Sequence, residues 1–315
     1  MTLLFLVLGV AALYYGAEWL VVGASRIALS LNVTPLVIGL TVVAFGTSMP
    51  ELVTGGQAAW SGSTDIALGN VVGSNIANLG LILGVSALIS AIPCGREIFS
   101  REVPLMLLAS VLIYALAATG QISRFWGVVL LLGLVAFTWV TLRFAKSEPG
   151  SAEMTDVGGM ELDPAAEVRM GAEIARATAG LITLVVGAKL LVDAAVTVAR
   201  DLGVPEFLIA ASMVALGTSL PELATSMVAA LRGEADVLVG NIVGSNVFNL
   251  LGGLGIAAAI KPVPVSPMVL GYDLPVMLVI TAAATVALYT YGGIQRWEGG
   301  LLLAGYGAYM VTLFV

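Results

Sequence analysis

Glu51 and Glu222 are the two residues of this sequence whose chemistry most needs explaining. Each closes a short polar run, "GTSMPEL" at 46–52 and "GTSLPEL" at 217–223, inside a stretch that is otherwise apolar. Between Arg26 and Asp65, Glu51 is the sole charged residue. A charge at the centre of a bilayer costs on the order of 3 kcal/mol even on lenient insertion scales, so an ionisable residue there points to function. The neighbours are oxygen donors. Thr47 and Ser48 precede Glu51 by four and three residues, which places them on its helix face, and Thr218 and Ser219 do the same for Glu222. Pro50 and Pro221 lack an amide hydrogen, so the carbonyls of Gly46 and Gly217 lose their helical partners. Freed carbonyls are tolerated at membrane depth only inside protein or beside a wet cavity.

A second motif accompanies each first one. "GNVVGSNIANL" from Gly69 carries Ser74 and Asn78 on one helix face, and "GNIVGSNVFNL" from Gly240 carries Ser245 and Asn249. The flanking glycines are read as helix packing, because small residues let backbones approach closely. Two carboxylates, two amides, several hydroxyls and freed carbonyls can supply the roughly six to eight oxygens that Ca²⁺ takes. The same set divides equally well into smaller sites for Na⁺. Two close, buried carboxylates repel one another, so the site should hold a proton or recruit a cation. One Ca²⁺ neutralises both; Na⁺ does so only in greater number. Mutually exclusive occupancy would couple the movements of the two ions.

What the chain lacks narrows the classes further. It has no histidine and a single cysteine, Cys94. That removes the usual zinc and copper ligands, the Ser–His pair and the HExxH zinc site, so an enzyme is not expected. A net charge of −7 includes six carboxylates within 148–167 (Glu148, Glu153, Asp156, Glu161, Asp163 and Glu167), so it belongs mainly to one loop and nucleic acid is not an expected partner.

The motifs must be positioned by membrane-spanning helices. Hydrophobic residues make up 59% of the 315 and charged residues 10%, against roughly 25% charged in a soluble domain. Apolar runs predict about ten spans, near 3–23, 34–60, 66–91, 102–119, 125–144, 173–199, 206–231, 237–260, 272–290 and 297–314. The first is read as a retained span, since no basic segment precedes it. A shift of 171 residues aligns the halves without a gap: Gly46 falls on Gly217, Pro50 on Pro221, Glu51 on Glu222 and Asp65 on Asp236. The chain therefore reads as a first five-helix repeat at 1–144, an acidic linker at 145–171 and a second repeat at 172–315. Five spans is an odd number, so the second repeat enters the membrane inverted, as in many secondary transporters. The expected fold is an all-α integral membrane protein with helices broken at the motifs. Arg26, Arg96, Arg101, Arg143, Lys146, Arg169, Arg176, Arg232 and Arg296 fall on one side, and Arg124, Arg200 and Lys261 on the other. That puts the linker in the cytoplasm and both termini outside the cell membrane. Glu18 and Lys189, equivalent under the shift, are expected to snorkel to an interface.

The paired motifs resemble the two α-repeats of the cation/calcium exchanger superfamily, above all its prokaryotic sodium/calcium exchangers, and the resemblance spans essentially the whole chain. It implies an antiporter that exchanges Na⁺ for Ca²⁺ by alternating access, with the first and sixth spans sliding as a gate. It implies no cofactor. Partners would be the Ca²⁺ and Na⁺ ions and the lipid bilayer, with a monomeric transport unit. The implied ligands are Glu51 and Glu222, the hydroxyls of Thr47, Ser48, Ser74, Thr218, Ser219 and Ser245, the Asn78 amide, and the backbone carbonyls of Ala44 and Ala215. Asn249 departs from members that carry aspartate there, including potassium-dependent ones, which argues against K⁺ co-transport. The linker is too short for the regulatory domains of animal relatives and shows no EF-hand spacing, so it is read as a solvated connector. A Ca²⁺/H⁺ exchanger is the alternative within the class, since buried carboxylates also bind protons. A carboxylate protease leaves the amides and hydroxyls without a role, and a passive channel does not fit a two-fold repeat within one chain.

Overall fold

The computed structural model describes residues 2–95, 97–145, 156–157, 160–161, 169–204 and 215–314. Its helices, in chain order, are α1 (Thr2–Leu31), α2 (Pro35–Thr47), α3 (Met49–Ser61), α4 (Thr64–Ile89), the single turn α5 (Glu97–Ser100), α6 (Glu102–Ala117) and α7 (Arg124–Ala145). After the linker come α8 (Met170–Asp201), the short α9 (Ala215–Gly217), α10 (Leu220–Leu231), α11 (Ala235–Ile260), α12 (Val269–Gly292) and α13 (Arg296–Phe314). Every expected span contains a helix, the 206–231 span being described from Ala215 onward. Among the described residues, six helices are individually long and apolar enough to cross a bilayer, and the bent pair α2–α3 makes a seventh. The fold is a nearly all-helical, multi-spanning membrane architecture with bent and broken helices. The helices that carry the second motifs, α4 and α11, are the most enclosed of the long ones, whereas α7 and α8 are mostly exposed, as suits lipid-facing elements.

Two-residue ladders are the part that apolar periodicity did not predict. Strands β1 (Ile92–Pro93) and β6 (Gly293–Ile294) pair antiparallel, as do β2 (Gln121–Ile122) and β5 (Val263–Pro264). Both ladders join a loop of one half to a loop of the other. A third ladder, β3 (Asp156–Val157) with β4 (Met160–Glu161), falls in the expected linker. The rest of 146–168, and with it the reading of a solvated connector, lies outside the described residues.

Helices α1 and α8 pack antiparallel along their length through small residues. A Cβ added at Gly180 would lie 2.6 Å from the Leu20 nitrogen, and one added at Gly16 2.8 Å from the Leu184 nitrogen. Gly9 and Gly187 repeat the approach toward the other end. Both helices outrun the spans expected at 3–23 and 173–199: Arg26, beyond the first expected span, stands inside α1, and Arg176, counted with the loop charges although it lies within 173–199, stands inside α8. The cause is local neutralisation. Glu173, buried at 6% exposure, takes Arg26 at 3.1 Å and Arg176 at 2.8 Å, which lets both helices continue past the charges. Glu18 also departs from expectation: it pairs with Arg232 at the end of α10, and so does not reach an interface alone. Lys189 is exposed and stands 3.7 Å from Asp193, one turn along its own helix.

Candidate cation site

The joint between α2 and α3 sets the geometry. Thr34 is extended, and Pro35 opens α2 at a position where its missing amide hydrogen costs nothing. The helix stops at Thr47, and α3 starts at Met49 with Pro50 in its first turn, bent by 45° from α2. The second half repeats the device, with α10 starting at Leu220 and Pro221 in its first turn. Each proline therefore restarts a helix, and Glu51 and Glu222 both fall in the first turn of the new one. There the unpaired amide hydrogens and the helix dipole favour a carboxylate.

The two halves then reach across to each other. Ser219 Oγ donates to Glu51 Oε1 at 3.0 Å, and Ser48 Oγ donates to Glu222 Oε1 at 3.1 Å. Thr218 stands beside Glu51 and Thr47 beside Glu222. Both glutamates are 1% exposed and close enough to act on one another electrostatically. Thr47 Oγ1 donates to Asn241 Oδ1 at 3.0 Å and lies 3.5 Å from Ser245 Oγ. Asn78 opens one π turn, Asn78–Ile82, and Asn249 lies in another, Phe248–Gly253. These turns pack against α10 and α3 respectively, so each amide stands near the opposite half's carboxylate helix. Single π turns often mark functional sites.

Among the buried polar atoms without hydrogen-bond partners is a set matched between the two motif pairs. Glu51 Oε2, Glu222 Oε2 and both polar atoms of the Asn78 and Asn249 amides are buried with no hydrogen-bond partner in the protein. Each such group costs about 1–3 kcal/mol when left unpaired. An oxygen-rich, doubly acidic set of this kind suits a hard cation. Among the described residues no cluster of three or more acidic, histidine or cysteine side chains occurs, so amides and hydroxyls must complete any coordination shell.

Other expected ligands are placed unequally. Ser74, Thr218 and Ser219 line a cavity of about 410 Å³ that they share with Thr54, Asn70 and Tyr309. Ser245 and Ser48 are fully buried away from it. The Ala44 carbonyl accepts the Ser48 amide at 3.0 Å, whereas the Ser219 amide turns to the Leu216 carbonyl at 3.1 Å and leaves Ala215 aside. The two alanines are thus not equivalent. Asn70 and Asn241 were not singled out from sequence. Asn241 ties Thr47 to Ser226, donating to Ser226 Oγ at 3.2 Å, and Asn70 reaches the Glu51 carbonyl at 3.4 Å. Their signal was present, since both are amides in apolar helices and the 171-residue shift superposes them. The neighbouring Asn75 and Asn246 instead donate to Val71 and Ile242 one turn back, a role internal to the helix.

Comparison with known proteins identifies the family and the fold. A family model described as sodium/calcium exchanger protein matches residues 1–143 and 174–315. The sodium/calcium exchanger MaX1 of Methanosarcina acetivorans is 33% identical over 99% of this chain and 98% of its own length. CaxA of Alkalimonas amylolytica, an antiporter by name, is 37% identical over 99% and 98%. Among solved structures, the sodium-calcium exchanger NCX_Mj soaked with Na⁺ and Ca²⁺ superposes with a TM-score of 0.85 at 32% identity, covering 99% of this chain and 98% of that one. With that match over both halves and nearly the full length, the chain belongs to the sodium/calcium exchanger family.

Proposed function

We propose that this cation exchanger swaps Na⁺ for Ca²⁺ across the cell membrane by alternating access, with both ions competing for one site between the repeats. The carrying observation is the crosswise bonding of Ser219 to Glu51 and Ser48 to Glu222, which leaves one oxygen of each carboxylate and both amides without protein partners. A single Ca²⁺ among Glu51, Glu222, Asn78 and Asn249 neutralises the two negative charges. Thr47, Ser48, Ser74, Thr218, Ser219 and Ser245, with the carbonyls of Ala44 and Ala215, serve adjoining Na⁺ positions. The related NCX_Mj structures, soaked with Na⁺ and Ca²⁺ or with Na⁺ and Sr²⁺, support that ion chemistry. The partition into repeats at 1–144 and 172–315 around a linker, the inverted insertion, the extracytoplasmic termini and a monomeric transport unit belong to the same proposal.

Flux into proteoliposomes tests it. Radiolabelled Ca²⁺ uptake should follow an outward Na⁺ gradient at fixed pH, and an imposed K⁺ gradient should leave it unchanged. Uptake driven only by a pH gradient would replace this reading with Ca²⁺/H⁺ exchange.

A further inference from the structure

A hydroxyl has one proton and two lone pairs, so to ligate a cation it must turn a lone pair inward and send the proton elsewhere. For Thr47 a destination for that proton is in place. Its Oγ1 donates to Asn241 Oδ1 at 3.0 Å, while the Ala44 carbonyl and Ser245 Oγ stand farther off, at 3.4 and 3.5 Å. The Asn241 amide is held in turn, its Nδ2 donating to Ser226 Oγ at 3.2 Å. Thr47, Asn241, Ser226 and Ser245 are all fully buried, so bulk water does not compete for these bonds. Thr47 also stands beside Glu222. A proton turned toward that carboxylate would present hydrogen, and not a lone pair, to any cation shared with Glu222.

Three elements meet at this chain of bonds. Thr47 ends α2, Ser226 lies on α10 one turn past Glu222, and Asn241 lies on α11 one turn before Ser245 and two before Asn249. The glycines on either side of Asn241 set how closely α2 and α11 approach. A Cβ added at Gly240 would lie 2.6 Å from the Leu36 carbonyl oxygen, and one added at Gly244 2.6 Å from Ala44 Cβ. That backbone contact brings the Thr47 hydroxyl within reach of the Asn241 amide, whose burial is tolerated because both its ends are bonded. The 171-residue shift places Asn70 on Asn241 and Gly55 on Ser226. Glycine has no side chain to anchor an amide, and Asn70 donates instead to the Glu51 carbonyl at 3.4 Å.

We infer that Asn241, held by Ser226, is a positioning residue of the cation site: it takes the Thr47 proton and so leaves the Thr47 oxygen as an acceptor toward the cation. The inference rests on the exchange reading above, which gives Thr47 a Na⁺ position. A double-mutant cycle tests it on the purified full chain, by isothermal titration with Na⁺ and, separately, with Ca²⁺ in choline buffer. Asn241→Ala and Thr47→Val should each weaken Na⁺ binding by about tenfold. Combined, they should weaken it no further than Thr47→Val alone, because Asn241 acts through that hydroxyl. A merely structural role for Asn241 would lower affinity again in the Thr47→Val background. Ser226→Ala keeps the Thr47–Asn241 bond but frees the amide to turn, so it should weaken Na⁺ by about threefold. It also carries the test, in the same cycle with Thr47→Val, should Asn241→Ala fail to fold. Unchanged Na⁺ affinity in the Asn241 or Ser226 variant, or a loss that persists undiminished beside Thr47→Val, overturns the assignment. A wild type that binds Ca²⁺ but not Na⁺ refutes the Na⁺/Ca²⁺ reading, and the same cycle read on Ca²⁺ then decides whether Asn241 acts through Thr47.

Discussion

At the scale of single residues, the paired acids carry the account. Replacing Glu222 or Glu51 with Gln removes one of two charges while keeping size and hydrogen bonding, so apparent Ca²⁺ affinity should fall on the order of 100-fold. Isothermal titration of the purified variants measures it, and an affinity within a few-fold of wild type would remove that carboxylate from the site. Cys94 offers an independent check on the packing near α11. Burial, with the Asp236 charge adding to it, pushes its thiol up to about 12. A raised value means the neutral thiol persists at physiological pH, so its thiolate is scarcer than that of an ordinary cysteine. Maleimide labelling of the folded protein should be correspondingly slow and should speed up on denaturation. Labelling at the rate of a free thiol contradicts the burial. Both glutamates were legible in the sequence because charge inside an apolar run is costly and the repeat doubled the signal. Asn70 and Asn241 were harder to assign. A helical amide serves a site or its own backbone, as Asn75 and Asn246 do, and only contacts between distant segments decide which.

At the scale of elements, proline and glycine divide the work. Pro50 and Pro221 restart helices so that each glutamate stands at a positive helix end, a consequence that follows from the missing amide hydrogen and was readable in advance. The close approach of α1 to α8 was not, because glycines in apolar helices do not name their partner helix. Gly180→Leu should force the pair apart, since even a Cβ there meets Leu20 nitrogen at 2.6 Å and Gly16 oxygen at 2.7 Å. Such overpacking costs about 3 kcal/mol, so thermal unfolding in detergent should occur at clearly lower temperature, with Gly133→Ala, whose added Cβ would meet Leu251 Cδ1 at 3.8 Å, as an unaffected control. Equal melting of the two would show that the seam does not hold the pair. The lengths of α1 and α8 also escaped the apolar pattern. Arg26 and Arg176 read as loop charges until Glu173, distant from Arg26 in sequence, is seen between them.

At the scale of the whole molecule, two similar halves meet at one polar centre. The 171-residue shift disclosed the pairing of motifs, and cross-bonded Ser219–Glu51 and Ser48–Glu222 are its three-dimensional counterpart. The inter-half ladders β1–β6 and β2–β5 lay below the reach of periodicity, because two residues are too few to alternate. The contacts of Glu18 with Arg232 and of Ser25 with Glu234 likewise depend on which loop lands beside α1, which no local pattern encodes. Competition between ions tests the central claim most directly. Equilibrium binding of radiolabelled Ca²⁺ to purified protein, titrated with Na⁺ at constant ionic strength, should show complete displacement with a Hill coefficient above one for Na⁺. Ca²⁺ binding that persists unchanged at saturating Na⁺ would contradict a single shared site built on Glu51 and Glu222.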